Sequence, residues 1–491
     1  MTANDSPRTE SDRGGGAFET VKNLGLLDPV RLAATGAAFA RWGPNIASLY
    51  GGAAVRHPGR PAVIDHRGSL SYSALDRRSS ALAKGLLSIG LEPGRNLGLL
   101  CHNHRDFVEA NLAAAKAGLD VVYLNTGFAA PQLAEVLDRE QVAGVVCDAD
   151  LLAILEASGS DRPTVVADGA VDGWRSMHDV RRAGRRRPGF LFPRRSKPVL
   201  LTSGTTGLPK GAQRSDNPAG ARSATGLLQR IPYRTGDVFV VASPLFHAWG
   251  LSQLIVAATL GSTVILSRRF SAAGCVDAVA EHRATVLTVV PVMLQRLLSD
   301  PTVDLSRMSG LRIVASSGAA LPPVVARDWM DQVGETLYNL YGSTEVGQAA
   351  IATPDELRAA PGTVGRVAPG STVAILDDAG RPVSKGSTGR IFVRNGAQFA
   401  GYTGGGGKEV IDGYMSSGDV GYFNDDGLLF VTGRADDMII SGGENVFPAE
   451  VEDLLLGMAA VTDVAVVGVD DADFGQRLAA FIVPAAGVEL T

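Results

Sequence analysis

The chain has 491 residues, 45% hydrophobic and 20% charged, with a net charge of −5. That length calls for two or three packed units, and the composition is that of a soluble globular protein. The acidic balance argues against nucleic acid as a partner, because neutralising phosphates needs a basic face. Cys101, Cys147 and Cys275 stand far apart without a CxxC pair. Neither a disulfide framework nor a zinc site is expected, and a reducing cytoplasm is the simplest setting.

Residues 1–16 are polar and Gly-rich with no apolar run, so no secretory signal is read, and 1–20 is expected to be a disordered tail. Residues 30–42 carry apolar groups with Arg31, Arg41 and Trp42. They read as a helix packed on a domain surface, with peripheral membrane association as the alternative. From residue 60 onward short apolar runs alternate with helical stretches. Strands are expected at 97–100, 120–124 and 143–146, with helices at 107–117 and 133–139. The same grammar recurs at 237–242, 276–283, 285–290 and 311–315, which predicts parallel sheets covered by helices. Residues 251–266 read as a buried helix, a Gly turn and a strand, not as a membrane span. The Arg-rich segment 181–197 reads as a solvated loop entering a strand at Val199, with attraction to an anionic surface as the alternative.

After about residue 365 the segments become short and β-like, at 373–376, 389–393 and 428–431. A polar junction, Gly433-Arg434-Ala435-Asp436-Asp437, precedes a helix at 448–456 and strands at 463–469 and 478–483. The expected fold class is α/β. A large N-terminal domain, 21–432, holds helix-covered, mostly parallel sheets and a small β-rich subdomain at about 365–432. A hinge at 433–438 and a small α+β C-terminal domain at 439–491 follow.

The strand Val199-Leu200-Leu201 runs into Thr202-Ser203-Gly204-Thr205-Thr206-Gly207-Leu208-Pro209-Lys210-Gly211. Glycines let backbone approach an anion, hydroxyls and N–H groups donate to phosphate oxygens, and Lys210 adds a point charge. The Walker spacing is not met. A strand at 311–315 leads into Ser316-Ser317-Gly318-Ala319-Ala320-Leu321-Pro322, a tight turn opening a helix. In Tyr338-Asn339-Leu340-Tyr341-Gly342-Ser343-Thr344-Glu345 a flat aromatic, a hydroxyl and a carboxylate suit a base, a phosphate and a hard cation. Asp419 in Ser417-Gly418-Asp419 offers a carboxylate, a group that can accept from two ribose hydroxyls. Pro244-Leu245-Phe246-His247-Ala248-Trp249-Gly250 puts one imidazole among aromatics. Two further segments are set aside. Cys101-His102-Asn103-His104 follows a strand and has no second ligand pair downstream, and Gly404–407 reads as a flexible loop.

Together these ordered motifs, from about residue 50 to the end, resemble the adenylate-forming superfamily, of the fatty acyl-CoA synthetase type. The resemblance implies nucleotide binding by Ser203, Gly204, Thr205, Thr206, Gly207, Gly318, Ala319, Asn339, Tyr341, Gly342, Ser343, Thr344, Asp419 and Arg434. It implies catalytic roles for Thr202, Lys210, His247 and Glu345, with Thr202 and Glu345 holding Mg²⁺, and a hinge at Asp436. Amino-acid-activating relatives carry Asp just after the aromatic where this chain has His247, which favours an acid without an amine. The co-substrates implied are ATP, CoA and a medium- or long-chain fatty acid, and an acyl-carrier protein is an alternative acceptor. Gly442-Gly443-Glu444-Asn445 match the loop used in the thiol step. The family also uses a lysine in a Gly-Lys context near its C-terminus. The last lysine here is Lys408, so a truncated C-terminal domain, impaired adenylation or a nucleotide-binding pseudoenzyme enter as expectations.

Overall fold

Apolar runs that are buried on both faces form the parallel strands of the first half, as continuous rather than alternating hydrophobicity requires. A computed structural model describes residues 29–187, 196–202, 209–214, 226–441, 444–471, 475–485 and 488. The expected tail at 1–20, Ser203 to Gly207, Gly442 and Gly443 lie outside the described residues, as does 188–195 of the Arg-rich segment. The chain forms two compact units.

The first unit comprises residues 1–213, 232–271 and 281–288. It opens with α1 (Pro29–Trp42) and α2 (Ile46–Arg56), whose N-cap Asn45 accepts from the N–H groups of Ala47 and Ser48. The hairpin β1 (Pro61–Asp65) and β2 (Gly68–Ser71) is followed by α3 (Tyr72–Ser88), β3 (Asn96–Leu100) and α4 (Arg105–Ala117). Next come β4 (Asp120–Tyr123), α5 (Ala130–Arg139), β5 (Val142–Asp148), α6 (Leu152–Ala157), β6 (Thr164–Ala167), β7 (Arg175–Ser176) and α7 (Met177–Arg185). The antiparallel hairpin β8 (Pro198–Thr202) and β9 (Lys210–Arg214) completes a sheet ordered β9-β8-β4-β3-β5-β6-β7, parallel from β8 to β7. Its core includes Leu100, Val122, Leu133, Val145, Val166 and Val199.

A second sheet of this unit, ordered β12-β10-β11-β1-β2, uses β10 (Val238–Val241), β11 (Thr263–Leu266) and β12 (Val286–Val289). Helix α8 (Ala248–Leu260) stops at Gly261 in the left-handed region, and Thr263 starts β11. The helix–turn–strand reading of 251–266 therefore holds. Part of the Arg-rich segment departs from the expected loop: Arg181, Arg182 and Arg185 lie in α7, and Arg181 pairs with the buried Glu109 at 2.9 Å. No described helix is long and apolar enough to cross a membrane.

The second unit comprises residues 214–231, 272–280 and 289–491. Its helices are α9 (Ala272–Glu281), α10 (Pro291–Ser299), α11 (Pro323–Gln332) and α12 (Pro354–Ala359). Its strands begin with β13 (Ile313–Ser316), β14 (Leu337–Ser343), β15 (Gly347–Ala352), β16 (Thr363–Val367), β17 (Thr372–Leu376) and β18 (Gly389–Arg394). They continue with β19 (Phe399–Tyr402), β20 (Val410–Ile411), β21 (Tyr414–Phe423) and β22 (Leu429–Arg434). The path is β13-β14-β15-β16-β22-β21-β18-β17, with β20 on β21. Only the β13–β14 step is parallel, which gives the β-rich region that short strands and Gly turns lead one to expect.

The C-terminal part holds β23 (Ile439–Ser441), β24 (Glu444–Val446), α13 (Pro448–Leu456), β25 (Val461–Asp471) and β26 (Gly475–Pro484), in the order β24-β23-β26-β25. Two strands and one helix are expected from sequence. The extra pair, β23 and β24, has three residues per strand, too few for an alternation to show.

Candidate active site

Four residues expected in nucleotide binding or as the hinge converge in the second unit because of strand register. Asp419 on β21 lies directly opposite Arg434 on β22. The Tyr341 hydroxyl, on β14, donates to Asp419 Oδ2 at 2.5 Å, and its oxygen lies 3.1 Å from Ser417 Oγ. Ser417 donates to the Ile391 carbonyl and accepts from the Asp419 N–H, both at 3.1 Å. The carboxylate is thus fixed from its own strand and from β14. Arg434 Nη1 is 3.7 Å from Asp419 Oδ1. Its Nε and Nη2 are committed to Asp436 at 2.9 and 3.0 Å, a two-point bond. Burial pushes the Asp419 carboxyl above the usual carboxylate range, against the opposing pull of Tyr341 and Arg434. Burial, then the Asp419 charge, push the Tyr341 hydroxyl well up, so it stays a proton donor. The Arg434 bond holds Asp436 below its ordinary value.

Beside this cluster, Ser316 and Asn339 face each other in the β13–β14 register. Both are buried, and Ser316 Oγ and Asn339 Oδ1 have no hydrogen-bond partner among the described residues. Unpaired buried polar atoms are costly, and a ligand bearing amide-like edges would satisfy them. Gly318 sits in the left-handed region at φ 93° in the turn after β13, and Gly318 and Ala319 are exposed there. A purine base fits these features, a flat group with donors and acceptors along its edge.

Past Tyr341, the backbones of β14 and β15 approach so closely that a side chain at Gly342 would collide with the Gly347 carbonyl. That approach turns the chain into Glu345. Ser343 Oγ accepts from the N–H groups of Glu345 and Val346 at 3.2 and 3.3 Å, so its oxygen shapes the turn. Glu345 is 8% exposed, and its Oε1 accepts from Tyr402 at 3.2 Å. Its Oε2 has no partner among the described residues. A fixed carboxylate with one open oxygen has the donor chemistry that Mg²⁺ selects. Thr344, the neighbouring hydroxyl, is half-buried.

The first unit carries Thr202, Lys210 and His247. Thr202 and Lys210 are register partners at the loop end of the β8–β9 hairpin, where Thr202 Oγ1 donates to the Lys210 carbonyl at 3.3 Å. His247 occupies the N-cap position of α8 without capping it through its side chain. Its ring centroid is 4.5 Å from that of Phe246, and desolvation lowers its pKa, so the imidazole is neutral at pH 7. The loop that carries it is clamped by Asn103. The Asn103 amide donates to the Ser243 carbonyl at 2.9 Å, and its Oδ1 accepts from the Leu245 N–H at 2.9 Å.

Asn103 belongs to the segment set aside as a metal motif. Its neighbours are in fact joined by carboxylates from far along the chain: Asp148 and Asp150 gather near His102 and His104. These groups already have partners. His104 Nδ1 accepts from the Asp106 N–H and caps α4, and its Nε2 meets Asp148 at 2.8 Å. Arg268 supplies the countercharge to Asp148, Asp150 and Asp168. The cluster is an ion network, buried at His104 and Asp148 and reaching the surface at Asp150. Asn103, Ser316, Tyr402 and Ser417 carry no role legible in the sequence. Their partners are set by strand pairing and loop contacts, which leave no local signal.

Residues 52–403 match the family described as AMP-binding enzyme, and residues 450–491 match the AMP-binding enzyme C-terminal domain. A fatty acid–[acyl-carrier-protein] ligase, ScoC, of Streptomyces coeruleorubidus is 30% identical over 447 residues, covering 88% of this chain and 85% of that protein. An indoleacetate–CoA ligase of Aromatoleum aromaticum is 31% identical over 445 residues, covering 88% and 86%. The crystal structure of ATP-bound MatB from Rhodopseudomonas palustris superposes with a TM-score of 0.79 at 28% identity, covering 91% and 90%. Its α/β architecture of a large sheet-and-helix region with a small C-terminal domain is the one seen here. The chain belongs to the AMP-binding enzyme family, that is, to the adenylate-forming superfamily.

Proposed function

We propose that the chain activates a carboxylic acid with ATP and transfers the acyl group to CoA. In the first half-reaction a carboxylate oxygen bonds to the α-phosphorus, and the bond to the bridging oxygen breaks, releasing pyrophosphate. In the second, the CoA sulfur bonds to the acyl carbon and AMP leaves, with the thiol proton passing to solvent. The observation that carries this reading is the Asp419 carboxylate held by Tyr341 opposite Arg434, an acceptor built for two ribose hydroxyls. The unpaired Asn339 and Ser316 atoms support a base beside it. We assign Mg²⁺ to Glu345, where it would neutralise phosphate charge, and Thr202 and Lys210 to the phosphates. Ser203 to Gly207 complete the phosphate loop in this assignment. Neutral His247 and its aromatic neighbours are assigned to the acyl path, and 433–438, centred on Asp436, to the hinge that separates 21–432 from 439–491.

The substrate assigned is a medium- or long-chain fatty acid. A second reading, in which the acyl-adenylate passes to a carrier protein, is favoured by the similarity to the Streptomyces ligase. Pyrophosphate release is expected with a fatty acid of intermediate length and not without an acid. The measurement is a coupled pyrophosphate assay over a chain-length series with an aryl acid included. Thioester formation on adding CoA supports the first reading, whereas acyl-AMP that persists with CoA and disappears with a carrier protein supports the second. Nucleotide binding without acid-dependent pyrophosphate release from any acid would overturn both.

A further inference from the structure

Resting on that reading, we propose that Lys408 is a further nucleotide-binding residue, donating from its ammonium to the sugar–phosphate of the adenylate. Lys408 ends the run Gly404–407 and precedes β20. Its Nζ lies 3.3 Å from the point a Cβ would occupy on Gly418, the residue before Asp419, and Arg434 Nη2 lies 3.3 Å from the same point. Two cations therefore flank the bare backbone that carries the ribose acceptor. They are not equivalent. Arg434 gives two of its N–H groups to Asp436. Lys408 feels the charges of Asp419 and Asp436 but makes no hydrogen bond or ion pair with any described residue. It is half-buried, which costs an ammonium part of its hydration. An uncommitted, partly desolvated cation next to a fixed carboxylate is placed to complete an anionic ligand. The glycine at 418 keeps the space between ammonium and backbone open.

The chemical class is a nucleoside 5′-phosphate. The test uses calorimetric titration of the full chain with AMP and, separately, adenosine. It compares wild type with Lys408→Gln, Lys408→Arg and a charge control, Lys385→Gln. Lys385 is an exposed lysine paired with Asp425. The expected result is a roughly tenfold loss of AMP affinity in Lys408→Gln, the scale of one charge-assisted hydrogen bond. Lys408→Arg is expected to restore most of it and Lys385→Gln to leave it unchanged. The loss should shrink as salt is raised to roughly 0.5 M, because the partly exposed charge is screened. A loss confined to AMP places the ammonium on the phosphate, and an equal loss for adenosine places it on the ribose. AMP binding by wild type that is unchanged in a folded Lys408→Gln overturns this proposal alone. No binding of AMP by wild type overturns the nucleotide reading with it.

Discussion

Asp419→Asn is expected to weaken AMP binding by about ten- to a hundredfold while raising the thermal midpoint at pH 7. The asparagine keeps an oxygen to accept from Tyr341, so the local frame survives. It loses the charge and one acceptor, and a hydrogen bond to a charged group is worth about 1.5–3 kcal/mol. The stability change follows from the pKa shift. Burial raises the folded-state value, so the folded protein favours the protonated acid. That contribution is complete below the unfolded-state pKa, about 3.9. It is lost as pH rises through the raised folded value. Asparagine does not titrate, so the variant escapes the loss. Midpoints of variant and wild type should converge near pH 4 and separate toward pH 7. AMP affinity held within about twofold, well under 1 kcal/mol, would remove Asp419 from the site.

Gly342→Ala is expected to give the largest loss of stability. The added methyl would meet the Gly347 carbonyl and press on the Gln348 backbone, and neither is a flexible side-chain tip. Overpacking of this kind costs typically about 1–3 kcal/mol, and backbone against backbone belongs at the upper end. The hairpin must open to relieve it, and Tyr341 and Glu345 sit on either side of the point of opening. Acid-dependent pyrophosphate release should therefore fall further than stability alone would dictate. Gly36→Ala, in α1 with open space around it, is the control and should gain about 0.5–1 kcal/mol. Urea unfolding of the three proteins checks both signs. An unchanged midpoint for Gly342→Ala would show that β14 and β15 leave room for a methyl at this point.

What could be read from sequence follows from how each feature is encoded. The strands at 97–100, 120–124 and 143–146 stand out because both faces are buried and the apolar run is unbroken. The residues around Tyr341, Glu345 and Asp419 stand out because special turns need glycine and hydroxyl residues at fixed offsets. Pairing is encoded nowhere locally. Asp419 meets Arg434 through a β21–β22 register and Tyr341 through a bond spanning 78 positions. Asn103 reaches Ser243 across 140 positions, so nothing within residues 101–104 signals the clamp of the His247 loop. The same holds for Arg268, whose three carboxylate partners come from Asp148, Asp150 and Asp168.

The cysteines have a consequence at the bench. Cys101, Cys147 and Cys275 are free and buried. Burial raises all three thiols, Cys275 to about 12. Only a thiolate attacks a sulfhydryl dye, and these groups are both protonated and out of reach. In a native sample, colour from such a dye would report the sulfhydryl of CoA alone. Dye added to aliquots withdrawn over time would then show CoA disappearing as the thioester forms, and colour in excess of the CoA supplied would register unfolded enzyme.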